Sequence, residues 1–364
     1  MIKQITNINF TMKRIGNLFN QIISIENLKL ADIKARRGKY GESRKKTRME
    51  IAKFDEHRDF LIKRLHENLK NHMFMTSPYS TFKVYEPKER IIYRLPYYPD
   101  RIVHHAILNI LEPIWRKTFT YNTYSCVPGK GIEGCAKRVK KIIRKYKYSK
   151  HLYCLKIDIK KFYPSVNHEI LKEIIEHKIK DQDVLWLLDD IIDSVEGLPI
   201  GNYTSQYLGN LYLCYFMHKI NEVYKLDATE YADDIVFFSE SKSKLHKIFR
   251  EFIKPYMEKT LDLTVKPNWQ IFPVAKNRND KHGRPVDYLG YRFYREEIGL
   301  RKNIKINFNK AAKRFLRSNP NPTKKELNIT IGPWLGWIKH SNSSYLLKAV
   351  IGDELYNKYY RGKI

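Results

Sequence analysis

The stretch EYADDIVFFSES, Glu230 to Ser241, places two adjacent aspartates inside a run of β-formers. Such a run, broken by a short polar turn, reads as a β-hairpin, which puts Asp233 and Asp234 at the turn. Asp favours turns on its own account, and a lone Asp-Asp pair would say no more than that. A third carboxylate changes the reading. HLYCLKIDI, residues 151–159, is a strand candidate with Asp158 near its end, and a sheet can lay that end beside the hairpin. Three converging carboxylates repel one another unless cations lie among them. Oxygen ligands of this kind suit Mg2+, and two such ions about 3.5–4 Å apart are the usual arrangement for moving a nucleotidyl group.

Working outward from the hairpin, helices and strands alternate in a telling order. NHEILKEIIEHKI is a helix capped by Asn167, DVLWLLDDIIDSV is another, and GLPIGNYTSQYLGNLYLCYFMHKINEVY begins as a loop and becomes a long helix. SKLHKIFREFIKPYMEKT follows the hairpin as a helix, and PVDYLGYRFYREEIGL carries one or two strands. Strand, helix, helix, hairpin, helix gives an antiparallel sheet with helices packed on one face, an α/β (α+β) fold rather than a doubly wound parallel one. Upstream, residues 18–75 read as helical, TFKVYE and RIIYRLP as a second hairpin, and DRIVHHAILNILEPIW as a helix with Asp100 at its start. The chain from about Arg301 is helical and basic. His104 and His105 are adjacent on a helix and face different ways, so they are not read as a metal pair.

Lys and Arg number 68 against 39 Asp and Glu, a formal net charge of +29, which calls for a polyanionic partner. Two stretches, Lys34–Arg48 and Lys137–Lys150, hold eight basic residues each and are candidate phosphate-contacting surfaces. The four cysteines, Cys126, Cys135, Cys154 and Cys214, make no CxxC pair, so free thiols in a cytoplasmic setting are expected and a zinc site is not. No segment reaches the ~20 apolar residues of a membrane span, and no signal peptide opens the chain. Nucleic acid, not membrane, is the expected partner.

YADD, residues 231–234, resembles the signature hairpin of reverse transcriptases, and LKIDIKKFYPSV, residues 155–166, resembles their first palm motif. EPKERIIYRLPYYPDRIVHHAILNILEPIW (86–115) is similar to the family's finger region, and YNTYSCVPGKGIEGCAKRV to the segment after it. NWQIFPV (268–274) and VDYLGYRFY (286–294) are similar to its post-palm region, and GWIKHSNSSYL (336–346) to the end of its thumb. GLPIGNYTSQYLGN, 197–210, lacks the Gln-Gly and Ser-Pro pairs of group II intron enzymes. It resembles the Gly-x-x-x-Ser-Gln form of the reverse transcriptases of diversity-generating retroelements, with Gly201, Ser205 and Gln206 in place. The resemblance covers about residues 18 to 350.

That resemblance implies a right-hand polymerase. Residues 1–75 would be a basic helical extension, 76–150 fingers, 151–300 palm with part of the fingers inserted, and 301–364 a short helical thumb. Asp158, Asp233 and Asp234 would be the catalytic metal ligands, for two Mg2+ with Mn2+ able to substitute. Tyr163 would be the aromatic gate that excludes a 2'-hydroxyl, with Phe162 beside it in the substrate site. Gln206 and Gly201 would lie at the incoming nucleotide. Lys88, Arg90 and Arg94 would reach the triphosphate, Arg90 foremost, since a guanidinium forks onto phosphate oxygens. Arg101 is a phosphate, template or salt-bridge residue, and Lys266 a candidate near the pyrophosphate. The implied partners are template RNA, the cDNA or primer, dNTPs and a small basic accessory protein that forms a pentameric barrel. The implied activity is cDNA synthesis with errors at template adenines, in the cytoplasm of a bacterium or from a phage gene. No ribonuclease H or His-Asn-His nuclease segment is read. Two alternatives stay open: a defence, retron-like or intron-mobility reverse transcriptase of ordinary fidelity, and a non-catalytic nucleic-acid scaffold on the same fold.

Overall fold

A computed structural model describes residues 13–39, 45–85 and 89–362. In chain order, helices α1 (Phe19–Ile23), α2 (Ile25–Ala35), α3 (Lys45–Glu56) and α4 (Arg58–Lys70) precede the hairpin β1 (Ser80–Tyr85) and β2 (Glu89–Arg94). Then come α5 (Ile102–Arg116), α6 (Gly131–Lys145), β3 (Tyr153–Asp158), α7 (His168–Glu176), α8 (Gln182–Asp193) and α9 (Tyr203–His218). The second hairpin is β4 (Asp227–Tyr231) and β5 (Asp234–Ser239), followed by α10 (Lys242–Ile248) and β6 (Gln270–Pro273). Strands β7 (Val286–Tyr288), β8 (Tyr291–Phe293) and β9 (Ile298–Leu300) lead into α11 (Lys302–Ser318), α12 (Lys324–Lys339), α13 (Ser344–Ile351) and α14 (Asp353–Tyr359). Residues 286–300 thus hold three strands where the sequence pattern suggested one or two. Ile298 to Leu300 is too short a run to show a period.

The chain divides into two compact units, each assembled from separated segments. The first runs to Thr123 and resumes over Ile159–Val223 and Ile253–Val265; the second takes Tyr124–Asp158, Tyr224–Phe252 and everything from Lys266.

The first unit is helical apart from the antiparallel β1–β2 hairpin. Its α9 is buried almost along its whole length, from Thr204 to Met217, which suits a helix apolar on all sides. Asp32 of α2 is fully buried and fully paired. Arg36 Nη2 bonds it at 2.5 Å, Arg58 Nε at 2.8 Å, and the Tyr97 hydroxyl also donates to it. Asn167 caps α7 as its sequence position implies, accepting from Ile170 N at 3.3 Å. Asp100 does otherwise. It sits before α5 without capping it, is fully buried, and takes the Ser77 N–H at 2.9 Å. Burial raises its carboxyl above the usual range, and the Ser77 bond opposes that.

The second unit is built on an antiparallel four-stranded sheet in the order β4-β5-β3-β6. The inner position of β5 explains its continuous apolar run: Ile235, Val236, Phe237 and Phe238 are all inaccessible to solvent. Cys154, Val236, Phe238 and Phe272 lie on one face and share a core with Val139 and Ile143 of α6 and with Phe293 of β8. Apolar residues of α11 to α14 complete that core. A small antiparallel sheet, β7-β8-β9, belongs to the same unit. The architecture is a mixed α/β one of small antiparallel sheets flanked by helices.

Candidate active site

In the second unit, the register of the central strands sets Asp158 directly opposite Asp234. Facing residues of an antiparallel pair point to the same side, with Cβ atoms about 4.5–5.5 Å apart, and like charges there are destabilising. Asp233 lies in the two-residue turn between Tyr231 and Asp234, and Ala232 beside it holds φ at +53°. Tight two-residue hairpin turns need a positive φ at their first central residue. The chain therefore keeps a costly trio of carboxylates where nothing about the turn requires it.

Burial first, then the charges of Asp234 and Asp158, push the Asp233 carboxyl above its usual range; Lys266 works against them. Two ammonium groups stand beside the trio. Lys266 Nζ bonds Asp158 Oδ2 at 2.6 Å, and its backbone N–H bonds the Asp158 carbonyl at 2.9 Å. Lys156 Nζ lies 3.7 Å from Asp234 Oδ1. The Tyr288 hydroxyl, from β7, donates to the Asp234 carbonyl at 3.0 Å and steadies the strand end. Among the described residues no group of three His, Cys, Asp or Glu is closed up as a metal cage. The donors nonetheless fit a hard divalent cation. They are carboxylate oxygens only, two of them face each other across the paired strands with the third in the adjoining turn, and their mutual repulsion is partly relieved by the neighbouring ammonium groups. Asp158, Asp233 and Asp234 are the residues that would hold it.

In the first unit, Tyr163 is half-buried and packs edge-on against buried Phe162, with ring centroids 5.2 Å apart. Leu198 N–H bonds the Tyr163 carbonyl at 2.8 Å. Gln206 and Gly201 are exposed and line one pocket of about 170 Å3 together with Arg101. Of the cations expected to reach a triphosphate, Arg90 is exposed on β2. Arg94 is committed elsewhere, its Nη2 lying 2.7 and 2.8 Å from the two oxygens of Glu50. Lys88 lies outside the described residues, as does part of the basic stretch Lys34–Arg48.

Three supporting residues carry no signal of their own in the sequence. Gly209 lets α9 approach the rings of Phe162 and Tyr163: a Cβ there would stand 3.3 Å from ring carbons of both. Gly197 sits at φ +65°, where a Cβ would lie 2.5 Å from the Pro164 carbonyl oxygen. His168 Nε2 donates to the Gly197 carbonyl at 2.9 Å, and its Nδ1 faces Asp193 at 3.1 Å. Gly197 and Gly209 both fall in the telling segment 197–210, but only the fold shows what each touches.

Residues 86–293 match the family model of the reverse transcriptase (RNA-dependent DNA polymerase), more than half of the chain. The chain belongs to the reverse transcriptase family. Among curated proteins, Protein YkfC of Escherichia coli (strain K12) is similar, 26% identical over 161 residues that cover 40% of this chain and 42% of YkfC. Among solved structures, telomerase from Candida tropicalis in complex with a TWJ fragment of telomeric RNA is similar at a TM-score of 0.49 and 11% identity. That match covers 82% of this chain and 58% of the other. Apo telomerase from the same organism, truncated from its C-terminal domain, gives 0.46 and 12%, covering 62% and 56%. The chain thus spans about half the length of the relatives it matches. Metal-dependent polymerase chemistry on nucleic acid is general to that family. Among the described residues no helix is long and apolar enough to cross a membrane.

Proposed function

We propose that this chain is an RNA-directed DNA polymerase that copies a retroelement template RNA into cDNA, with errors concentrated at template adenines. The observation that carries the polymerase reading is the cross-strand pair Asp158–Asp234 with Asp233 in the adjoining turn. Divalent ions held there would activate a primer 3'-hydroxyl and stabilise the leaving pyrophosphate. Lys266, bonded to Asp158, holds that carboxylate in place and keeps positive charge beside it. Tyr163 closes against the sugar of the incoming nucleotide, and Gln206 offers an amide that donates and accepts. Arg90 reaches the triphosphate. In this reading the β1–β2 hairpin belongs to the fingers, the four-stranded sheet to the palm and α11 to α14 to the thumb.

The subgroup is supported by Gly201, Ser205 and Gln206 in their motif, and by a net charge that suits an extended grip on RNA. A small basic barrel-forming accessory protein is part of the proposal, joined through the template RNA. The test is sequencing of cDNA made with Mg2+ and dNTPs on a generic primed RNA, and on the RNA encoded beside the gene, with and without the neighbouring small protein. Errors gathered at template adenines support the mutagenic reading. Accurate copying of all four bases leaves a polymerase and removes that specialisation.

A gate role for Tyr163 makes a separate prediction. Tyr163→Ala relaxes discrimination against ribonucleotides by about 10–200-fold, the range that a lost steric contact of this size gives, with dNTP use retained. Single-nucleotide extension with matched dNTP and rNTP measures it. An unchanged ratio would leave Tyr163 as a packing residue.

A further inference from the structure

Both ring nitrogens of His168 are tied. The residue opens α7, directly after the Asn167 cap, and its side chain is 20% exposed. Nε2 stands 2.9 Å from the Gly197 carbonyl oxygen. A carbonyl only accepts, so Nε2 carries a proton there. Nδ1 stands 3.1 Å from Asp193 Oδ1, and Lys172 Nζ bonds the other oxygen, Oδ2, at 2.6 Å. His168 and Lys172 lie one turn apart on α7 and share a face, so one carboxylate holds both. Asp193 is not there for the sake of its own helix. It ends α8, whose last turn holds no basic residue, and a carboxylate at a helix C-terminus works against the helix dipole. The fold keeps an acid where helix energetics alone would favour Lys or Arg.

What His168 holds leads to Tyr163. Gly197 is buried at φ +65°, with no room for a side chain beside the Pro164 backbone. The next residue, Leu198, gives its N–H to the Tyr163 carbonyl at 2.8 Å. The Pro199 carbonyl accepts from the Ser205 hydroxyl of α9, also at 2.8 Å. Residues 197–199 are thus tied to α9 on one side and, through His168, to α7 on the other. Tyr163 itself begins a short turn, Tyr163–Ser165, just before α7. The backbone from Tyr163 to His168, the His168–Gly197 bond and the Leu198–Tyr163 bond close a ring, all within the first unit. The Tyr163 backbone cannot shift unless one of those two hydrogen bonds gives. Phe162 and Gly209 then flank the aromatic ring that this backbone carries.

We propose that His168 is a positioning residue for Tyr163: by holding the Gly197 carbonyl it fixes the backbone that bonds Tyr163, and so sets how strictly the site rejects a 2'-hydroxyl. The assignment rests on the gate reading of Tyr163.

The test is single-nucleotide extension by the full chain with Mg2+ on a primed RNA, with kcat/KM measured for matched dNTP and rNTP. His168→Ala is expected to raise the rNTP-to-dNTP ratio about three- to tenfold, the range that one net hydrogen bond supplies. A variant that is merely less stable has fewer active molecules, which scales both substrates alike and leaves the ratio where it was. His168→Gln carries an amide N–H toward the Gly197 carbonyl and is expected to bring the ratio back to within about twofold of the unmodified chain. In a Tyr163→Ala background, His168→Ala should add nothing, because residues that act through one another are not additive. Asp193→Ala removes the acceptor at Nδ1 from a half-exposed position and is expected to raise the ratio about twofold or more; it decides the matter if His168→Ala does not fold. An unchanged ratio in these variants beside a relaxed one in Tyr163→Ala overturns the proposal and leaves the gate standing. So does equal relaxation in His168→Gln and His168→Ala, or full additivity with Tyr163→Ala. An unchanged ratio in Tyr163→Ala itself removes the gate, and the proposal falls with it.

Discussion

Protein carrying Asp233→Ala and Asp234→Ala together is expected to fold and to incorporate dNTPs at least about 10^3-fold more slowly, the scale of several kcal/mol of lost metal-assisted stabilisation. The reason it folds is electrostatic. Asp158 and Asp234 face each other across two strands, and Asp233 is held above its usual range by burial and by both of their charges. A carboxyl with a raised folded-state pKa favours the folded state only when protonated. Its contribution grows as pH falls through the raised value and turns into a cost at neutral pH. Asp233→Asn is therefore expected to melt a few degrees higher than the unmodified chain at pH 7, a gain of ~1 kcal/mol of the kind found when function holds a site in a strained state. The advantage shrinks as the solution is acidified through the raised folded-state value and is gone below pH ~3, where the unmodified carboxyl is neutral in both states. Primer extension and thermal melting on the same preparations check both halves. Extension that persists in a folded double variant would remove these carboxylates from the reaction.

The second large effect is expected at Gly197. Its φ of +65° is costly for any residue with a Cβ, and the new atom would stand 2.5 to 2.7 Å from the Pro164 backbone. All three of the atoms it would meet are Pro164 backbone, so no flexible side chain can swing away. Gly197→Ala should cost about 2–4 kcal/mol from strain and overpacking together, seen as a melting temperature lower by roughly 5–15 °C. The same change moves Pro164 and the Leu198-to-Tyr163 hydrogen bond, so surviving protein should also discriminate less well between dNTP and rNTP. Loss of stability with unchanged sugar selection would show that Tyr163 does not depend on this support.

What could be read from the sequence was whatever is local. Alternation in TFKVYE and RIIYRLP gives β1 and β2, the Asn167 cap follows from its place before an apolar helix, and YADD announces its turn. Contacts between distant parts of the chain were not legible. Asp100 looks like a helix cap until Ser77 is seen to claim it. Arg94 lies on β2, and nothing in its stretch announces that its Nη2 pairs with both carboxylate oxygens of Glu50 on α3. Lys266 reads as a candidate near the pyrophosphate, and only the pairing of its backbone with Asp158 shows that its ammonium reaches that carboxylate. His104 and His105 do differ in surroundings, one against Thr204 and one against Tyr203, yet both reach a single pocket that helical spacing alone does not announce.

The interleaving of the two units bears on how the chain folds as it is made. Each unit draws on three separated segments, and the backbone passes from one to the other at Thr123–Tyr124, Asp158–Ile159, Val223–Tyr224, Phe252–Ile253 and Val265–Lys266. A ribosome therefore cannot release one finished unit before starting the next. β3 emerges long before its partners β5 and β6, and must wait unpaired while more than seventy residues are translated. Contacts so distant in sequence close slowly, and exposed apolar edges invite aggregation meanwhile. The copious positive charge, besides suiting a polyanion, keeps such nascent chains apart through mutual repulsion.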